Sequence, residues 1–196
     1  MRLALLLSYP LLVHLSVAWS SPSLQWAAMQ CLFAGLFLNP LRNGAVRAWL
    51  ALAAFAGGTL LLTHIGGGLY ALYAPPLVMP SLVLSAFATS LLPGHVPLVT
   101  RMAEEVRGSL SADLRQYTRS VTWLWTMLLA AIVALTCYLM LFGPVRAWSV
   151  FTNFAVYGLL GGVFVGEYVY RRLRFRNIGH AGFVAHLRQV ATTRIR

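Results

Sequence analysis

The sequence predicts an all-α, polytopic membrane protein with about six transmembrane helices and both termini in the cytoplasm. Three observations predict this fold class. Of the 196 residues, 59% are hydrophobic and only 10% are charged. Successive apolar runs approach the roughly 20 residues that a helix needs to cross the hydrocarbon, and the arginines lie between and after these runs. A water-soluble domain of this composition would have too little polar surface, so we expect lipid to surround most of the chain.

The first two predicted spans form a helical hairpin. They cover residues 3–19 and 24–41 and are joined by an uncharged turn. The N-terminal run also resembles a signal peptide, with Ala18 and Ser20 as a weak cleavage pattern. Because another membrane run follows almost at once, we expect the first helix to be retained.

The third and fourth predicted spans cover residues 48–65 and 70–92, and a run of glycines at 66–68 breaks the helix between them. The fourth span contains Pro75, Pro76 and Pro80. Proline removes a backbone donor and clashes with the preceding turn. We therefore expect this span to start late, to kink, or to have its freed carbonyls satisfied by neighbouring helices, with its first half the least regular.

The last two predicted spans cover residues 121–142 and 148–170. A polar cytoplasmic loop, residues 93–120, precedes them, and a basic cytoplasmic tail, residues 171–196, follows. The predicted organisation is therefore one transmembrane bundle over residues 1–170 and a short tail.

Arginine placement predicts the topology. Positive residues near the ends of spans are retained in the cytoplasm. With six spans and both termini inside, all of the 15 basic residues except Arg146 fall on the cytoplasmic side. An odd number of spans would move a basic cluster to the outer side. Trp19 and Trp148 near the outer interface, and Trp49 and Tyr170 near the inner one, are typical of aromatic belts.

The loop at residues 93–120 is the first candidate functional segment, and we expect two short helices in it. Arg101 has helical spacing to Glu104 and Glu105, and Ser111 is a suitable cap for the second helix. In that second helix, Leu114, Tyr117 and Val121 share one face and Arg115 and Arg119 another, which is typical of a helix lying at the headgroups. The candidate residues of the loop are His95, Arg101, Glu104, Glu105, Arg115, Tyr117 and Arg119. A solvated connector is the alternative interpretation to a docking surface or an anionic ligand site.

The last span carries the second candidate segment. Gly158, Gly162 and Gly166 recur every fourth residue, so they share a face on which another helix can approach closely. Packing within the bundle and self-association are both consistent with this face. Glu167 precedes Arg171 by four residues, the favourable order for an ion pair along a helix. An ionisable group at this depth alternatively marks an ion or substrate path.

Several other function classes find little support. The net charge of +11 does not indicate nucleic-acid binding, because no basic stripe with interleaved aromatics lies on a soluble fold. Cys31 and Cys137 fall inside apolar runs, where cysteine behaves as a small hydrophobe. We find no zinc spacing, phosphate-binding loop or nucleophile motif, so we expect no metal, no cofactor and no catalytic residue. His95, flanked by prolines, is the best remaining candidate for a catalytic base.

Three stretches resemble an uncharacterised family of bacterial inner-membrane proteins: Leu92-Pro-Gly-His-Val-Pro-Leu-Val-Thr-Arg101, Leu114-Arg-Gln-Tyr-Thr-Arg-Ser-Val-Thr-Trp123 and Gly166-Glu-Tyr-Val-Tyr-Arg-Arg172. Genes of that family often lie in clusters for aryl polyene or xanthomonadin-like pigments, which are made by fatty-acid-synthase-like enzymes. The resemblance implies a multi-pass protein of the bacterial inner membrane with an accessory role in such a pathway. Relatives often carry a charged residue between Gly94 and Pro97, where this chain has His95.

The sequence thus leads us to expect a non-enzymatic membrane accessory or scaffold protein for the synthesis or handling of aryl polyenes or related lipids. Its expected partners are membrane lipids and, at the cytoplasmic face, an acyl carrier protein or pathway enzymes. Self-association is a further expectation. The rival interpretations are a small transporter or lipid flippase, motivated by the proline-rich span and Glu167, and a membrane-bound transferase that uses His95.

Overall fold

The computed structural model describes residues 2–174, apart from the side chain of Arg107, and this range is all-helical without a β-strand. The helices are α1 (Arg2–Ala18), α2 (Pro22–Leu36), α3 (Leu38–Arg42), α4 (Val46–His64), α5 (Gly68–Ser90), α6 (Leu98–Arg107), α7 (Ala112–Phe142), α8 (Val145–Val150), a π-helix (Phe151–Ala155) and α9 (Val156–Arg174). The all-α prediction is confirmed. The described residues divide into two units, one that ends at Tyr157 and one that begins at Gly158.

Four helical stretches of the described range are long and apolar enough to cross a membrane: Val46–His64, Gly68–Ser90, Ala112–Phe142 and Val145–Arg174. Large apolar side chains on them face outward, for example Leu61, which is 62% exposed, and Leu141, which is 66% exposed. This outward exposure fits a lipid solvent and not water. Helices α1 and α2, with 17 and 15 residues, are shorter and rise by about 26 and 23 Å.

The second predicted span is not one continuous helix. Helix α2 ends at Leu36, and α3 begins at Leu38 after a break at Phe37, whose φ and ψ are −100° and 19°. Pro40 explains the break, because it has no amide hydrogen to donate to the carbonyl of residue 36 and its ring crowds that carbonyl. The predicted span over residues 24–41 therefore consists of two helices.

The proline-rich fourth span is more regular than expected. Helix α5 is continuous from Gly68 to Ser90 with all three of its prolines inside it. Its first half is packed against other helices. Leu72 is fully buried, and Tyr73 packs edge-on against Trp148 of the segment after α7, with 4.5 Å between the ring centroids. Packing against neighbouring helices is what makes proline tolerable inside a membrane helix.

Trp148 of α8 lies at the centre of the core of the first unit. It is fully buried among Tyr9 and Val13 of α1, Met29 of α2 and Leu72 of α5. Lipid tails are as apolar as these side chains, so the helices associate through close van der Waals contact and not through a hydrophobic effect. The core therefore depends on how well the large indole ring fills its surroundings.

Helices α2 and α4 are joined by polar side chains. Gln30 Nε2 donates to Thr59 Oγ1 at 2.9 Å, and Trp26 Nε1 donates to the carbonyl oxygen of Ala56 at 3.0 Å. Such bonds between membrane helices contribute about 0.5–2 kcal/mol each. They keep α4 beside α2 although most of the surface of α4 is exposed.

Candidate functional site

Helix α7 is longer than a membrane crossing needs. Its 31 residues rise about 46 Å, whereas the hydrocarbon of a bilayer is about 30 Å thick. The apolar part of the helix begins near Val121, so residues 112–120 add about 13 Å before it. Ser111 caps the helix, because its Oγ accepts from the Leu114 amide at 3.4 Å. No glycine or proline follows until Gly143, so the expected second short helix is instead continuous with the span.

Helix α6 packs against this extension and runs antiparallel to it. The amide of Val99 donates to Thr122 Oγ1 at 3.3 Å, and Thr100 and Thr118 share a hydrogen bond of 2.8 Å between their hydroxyls. Further out, Arg115 donates to Glu104 at 2.6 Å. Later residues of α6 thus contact earlier residues of α7, so the two helices run in opposite directions. We call α6 together with residues 112–122 of α7 the hairpin.

The hairpin corrects the prediction of a helix lying at the headgroups. Leu114 and Val121, together with Thr118, are buried, and the hydroxyl of Thr118 bonds to α6. The face that was assigned to the membrane surface is therefore buried within the protein, and Thr118 on it contacts α6. Tyr117, on the same predicted face, is half-buried. The sequence pattern identified an amphipathic helix correctly but not the surface that covers it.

Both ends of α6 are fixed by local structure. At its start the amide of Leu98 donates to Ser90 Oγ at 3.0 Å, which ties α6 to the end of α5. At its end Gly108 adopts a φ of +77° and a ψ of −140°, a conformation that only glycine adopts readily, and the chain turns towards Ser111. The hairpin is thus a defined structure and not a loose connector.

The charged residues of the hairpin divide into paired and exposed ones. Arg115 Nη2 lies 2.6 Å from Glu104 Oε1, and these side chains are 62% and 28% exposed. Glu104 therefore pairs across the hairpin with Arg115, whereas the sequence led us to expect Arg101. At this exposure the pair stabilises the hairpin by at most about 1 kcal/mol. Arg101, Glu105 and Arg119 are exposed.

His95 lies in the exposed turn that precedes α6. Its Nδ1 is 3.4 Å from the carbonyl oxygen of Pro93, a long contact within its own turn. Within residues 2–174, no group of three or more His, Cys, Asp or Glu side chains is placed to hold a metal ion. The structure brings no candidate nucleophile to His95 among the side-chain contacts of that range.

The second candidate segment lies on α9, in the second unit. Glu167 Oε1 is 3.6 Å from Arg171 Nε, with side-chain exposures of 14% and 33%. The guanidinium of Arg171 also lies 6.0 Å from the centre of the Tyr168 ring. Gly158, Gly162 and Gly166 all fall within this helix, at the spacing that places them on one face. Helix α9 extends to Arg174, so the first residues of the predicted tail continue the helix; the rest of the tail lies outside the described residues.

A second polar site, which the sequence analysis did not identify, joins α1 to the end of α8 and the start of the π-helix. His14 Nδ1 lies 3.2 Å from Ser149 Oγ, and the ring of His14 packs edge-on against Phe154. Asn153 Nδ2 donates to the carbonyl oxygen of Ser149 at 2.9 Å, and Thr152 Oγ1 donates to that of Trp148 at 2.9 Å. These side chains of the π-helix thus bond to carbonyl oxygens of α8. We call His14, Ser149, Thr152 and Asn153 the polar cluster.

Two buried polar atoms lie in the apolar core next to the polar cluster. The Oη of Tyr9 and the Nε1 of Trp148 have no hydrogen-bond partner among residues 2–174. Tyr9 is 6% exposed and Trp148 is fully buried. Buried polar groups without partners are rare, and π-helical turns occur frequently at functional sites. The signal in the sequence was the spacing of Ser149, Thr152 and Asn153 on one face of an apolar run.

Comparison with known proteins gives no relative on which a function can be based. No protein-family model, no curated protein and no solved structure matches the chain. The function must therefore be argued from the hairpin, the polar cluster and the membrane helices themselves.

Proposed function

We propose that the chain is a non-enzymatic integral membrane accessory protein that holds a soluble partner at the membrane face. The observation that carries this proposal is the hairpin. It stands about 13 Å beyond the hydrocarbon, its helices are joined by the buried hydroxyls of Thr100 and Thr118, and its outer surface carries exposed charges. A rigid, charged projection is suited to docking a protein and has no catalytic constellation of its own.

The proposed partner is acidic. The outer part of the loop contains Arg107 and Arg115 together with the acids Glu104, Glu105 and Asp113, whereas the sequence after α9 contains four further arginines and no acidic residue. Charge complementarity accelerates encounter with an acidic surface. An acyl carrier protein has this charge, and it agrees with the lipid or aryl polyene pathway that the resemblance implies.

The proposal also includes a membrane topology with more crossings than the four long apolar stretches. We propose six crossings in a bacterial inner membrane, in which α1 and the α2–α3 pair also cross, with both termini in the cytoplasm. The arginine distribution supports this arrangement. It places the hairpin and the tail on one side and leaves Arg146 on the other.

Single-cysteine labelling tests this topology. In a chain with Cys31 and Cys137 replaced by serine, cysteines introduced at Ser109 and at Arg146 are expected to lie on opposite sides. A membrane-impermeant maleimide added to intact cells should label the cysteine at 146 and leave the one at 109 unlabelled until the membrane is opened. Labelling of both positions, or of 109 alone, in intact cells contradicts the proposed orientation.

A second candidate function is supported by the polar cluster. A small transporter or flippase needs polar groups inside the membrane. In the polar cluster His14 of α1 contacts Ser149 of α8, and Asn153 of the π-helix donates to the carbonyl oxygen of Ser149. The proline-rich α5 and Glu167 were the sequence features behind this candidate. The transferase alternative gains no comparable support, because His95 contacts the carbonyl of its own turn.

One paired experiment separates the two candidates. The chain in nanodiscs is titrated with purified acyl carrier protein at low salt, and the chain in vesicles is assayed for transfer of a fluorescent phospholipid between leaflets. For a docking protein, Arg115→Glu should weaken carrier binding by at least several-fold, and His14→Ala should leave it unchanged. Lipid transfer that His14→Ala abolishes would favour the transporter. Carrier binding that is absent, or that ignores Arg115→Glu, contradicts the docking proposal.

A further inference from the structure

We propose that Arg101 and Arg119, at the base of the hairpin, bind the phosphates of anionic phospholipids in the leaflet through which the hairpin passes. This inference rests on the membrane crossing of α7 and on the position of α6 beside it. It does not depend on the identity, or the existence, of a soluble partner at the tip of the hairpin.

The depth of these two residues follows from the contacts of α6. Arg119 lies two residues outside Val121, where the apolar part of α7 begins, and is therefore about 3 Å outside the hydrocarbon. Thr100 is hydrogen-bonded to Thr118, which places the adjacent Arg101 at nearly the same level. The headgroup region extends about 5–8 Å beyond the hydrocarbon on each side of a bilayer. Both arginines thus lie at the depth of lipid phosphates.

The charges of the hairpin are segregated along its length. Arg101 and Arg119 at its base are exposed, and no ion pair within the described residues joins either of them to an acid. The carboxylate of Glu104 is engaged by Arg115, one turn further out. Glu105 is exposed and lies one turn further out than Arg101, and Asp113 lies close to the tip. The base of the hairpin therefore presents free positive charge, whereas acidic groups lie further towards water. Arginine suits phosphate because its planar guanidinium donates two parallel hydrogen bonds.

An aromatic side chain marks the same interface. Trp123 follows Arg119 by four residues on α7, so the two lie on one side of the helix, and Trp123 is 45% exposed. Tryptophan at this level is typical of the boundary between headgroups and hydrocarbon. A lipid with its phosphate at Arg119 would place its acyl chains beside Trp123.

Photocrosslinking tests the site. The full chain is placed in nanodiscs that contain either phosphatidylglycerol or phosphatidylcholine with the same headgroup-attached diazirine, and crosslinked peptides are mapped by mass spectrometry. We expect crosslinks on residues 98–123 to be enriched with phosphatidylglycerol. Arg101→Gln and Arg119→Gln should each reduce this enrichment by about five-fold, and the double variant by on the order of twenty-fold, because each arginine near an anionic surface contributes about 1 kcal/mol.

Matched controls keep the result specific. Arg115→Gln, whose parent side chain is paired with Glu104 and lies further out, should leave the enrichment on residues 98–123 unchanged. Crosslinks near Arg42 and Arg47 should persist in the double variant, which shows that the chain is folded and inserted. Enrichment that survives in the double variant, or that falls equally with Arg115→Gln, overturns the inference. A double variant that loses lipid enrichment but still binds carrier protein leaves the proposed docking function intact.

Discussion

Replacing Gly35 with leucine is expected to force α1 away from α2 and to lower the free energy of unfolding by about 1–3 kcal/mol, the cost of overpacking a close contact. A Cβ at Gly35 would lie 2.8 Å from Leu6 Cδ2 and 3.4 Å from Leu5 Cβ. Small residues permit such close approach between membrane helices. The larger leucine side chain fits only if Leu6 changes its conformation or α1 moves.

The chain provides a matched control for this substitution. Gly57 lies in α4, and a Cβ built there meets no heavy atom of the described chain within 4 Å. Gly57→Leu should therefore be neutral or slightly stabilising, since leucine favours a helix over glycine by about 0.8 kcal/mol. Thermal unfolding in a mild detergent, followed by size-exclusion chromatography, measures both variants. Adding Leu6→Ala to Gly35→Leu should recover part of the loss. Equal stability of the two single variants would mean that α1 and α2 are not in this contact.

The span boundaries were predictable because they depend on local properties. The predicted third and fifth spans, residues 48–65 and 121–142, lie in α4 and α7, since a run of apolar residues and the next break can be read directly from the sequence. Their partners could not be predicted in this way. The pairing of α6 with α7 includes the bond between Thr100 and Thr118, which the sequence pattern does not reveal.

In the candidate site, too, local features were predictable and contacts between helices were not. The loop at residues 93–120 was recognised from its charges and its amphipathic pattern, but Glu104 was assigned to the wrong arginine because spacing along one helix cannot reveal a contact with another. The polar cluster was missed because His14 and Ser149 are 135 residues apart. Each residue alone resembles a polar side chain tolerated in a membrane helix, and only the packing of α1 against α8 and the π-helix brings them together.

Replacing Trp148 with alanine is expected to cost about 3–5 kcal/mol of unfolding free energy, the usual range for a fully buried aromatic residue. Trp148 is 0% exposed, and four helices of the first unit meet around it. Neighbouring helices, held by their own contacts, cannot collapse into the space that the indole leaves. Trp19→Ala is the matched control, because Trp19 is 69% exposed and its removal leaves no cavity. Similar apparent melting temperatures for the two variants in detergent would contradict the central position of Trp148.

Trp148→Phe tests the contribution of the indole N–H group separately from that of the aromatic ring. The Nε1 of Trp148 has no hydrogen-bond partner among the described residues, so removing the donor breaks no bond within that part of the chain, and only the lost volume should count. We expect a cost of about 1–2 kcal/mol, well below that of alanine. If Trp148→Phe proves as damaging as Trp148→Ala, the N–H group must bond to something in the membrane-embedded protein. A lipid or substrate oxygen would then be the group to look for, and such a result would favour the transporter over the docking protein.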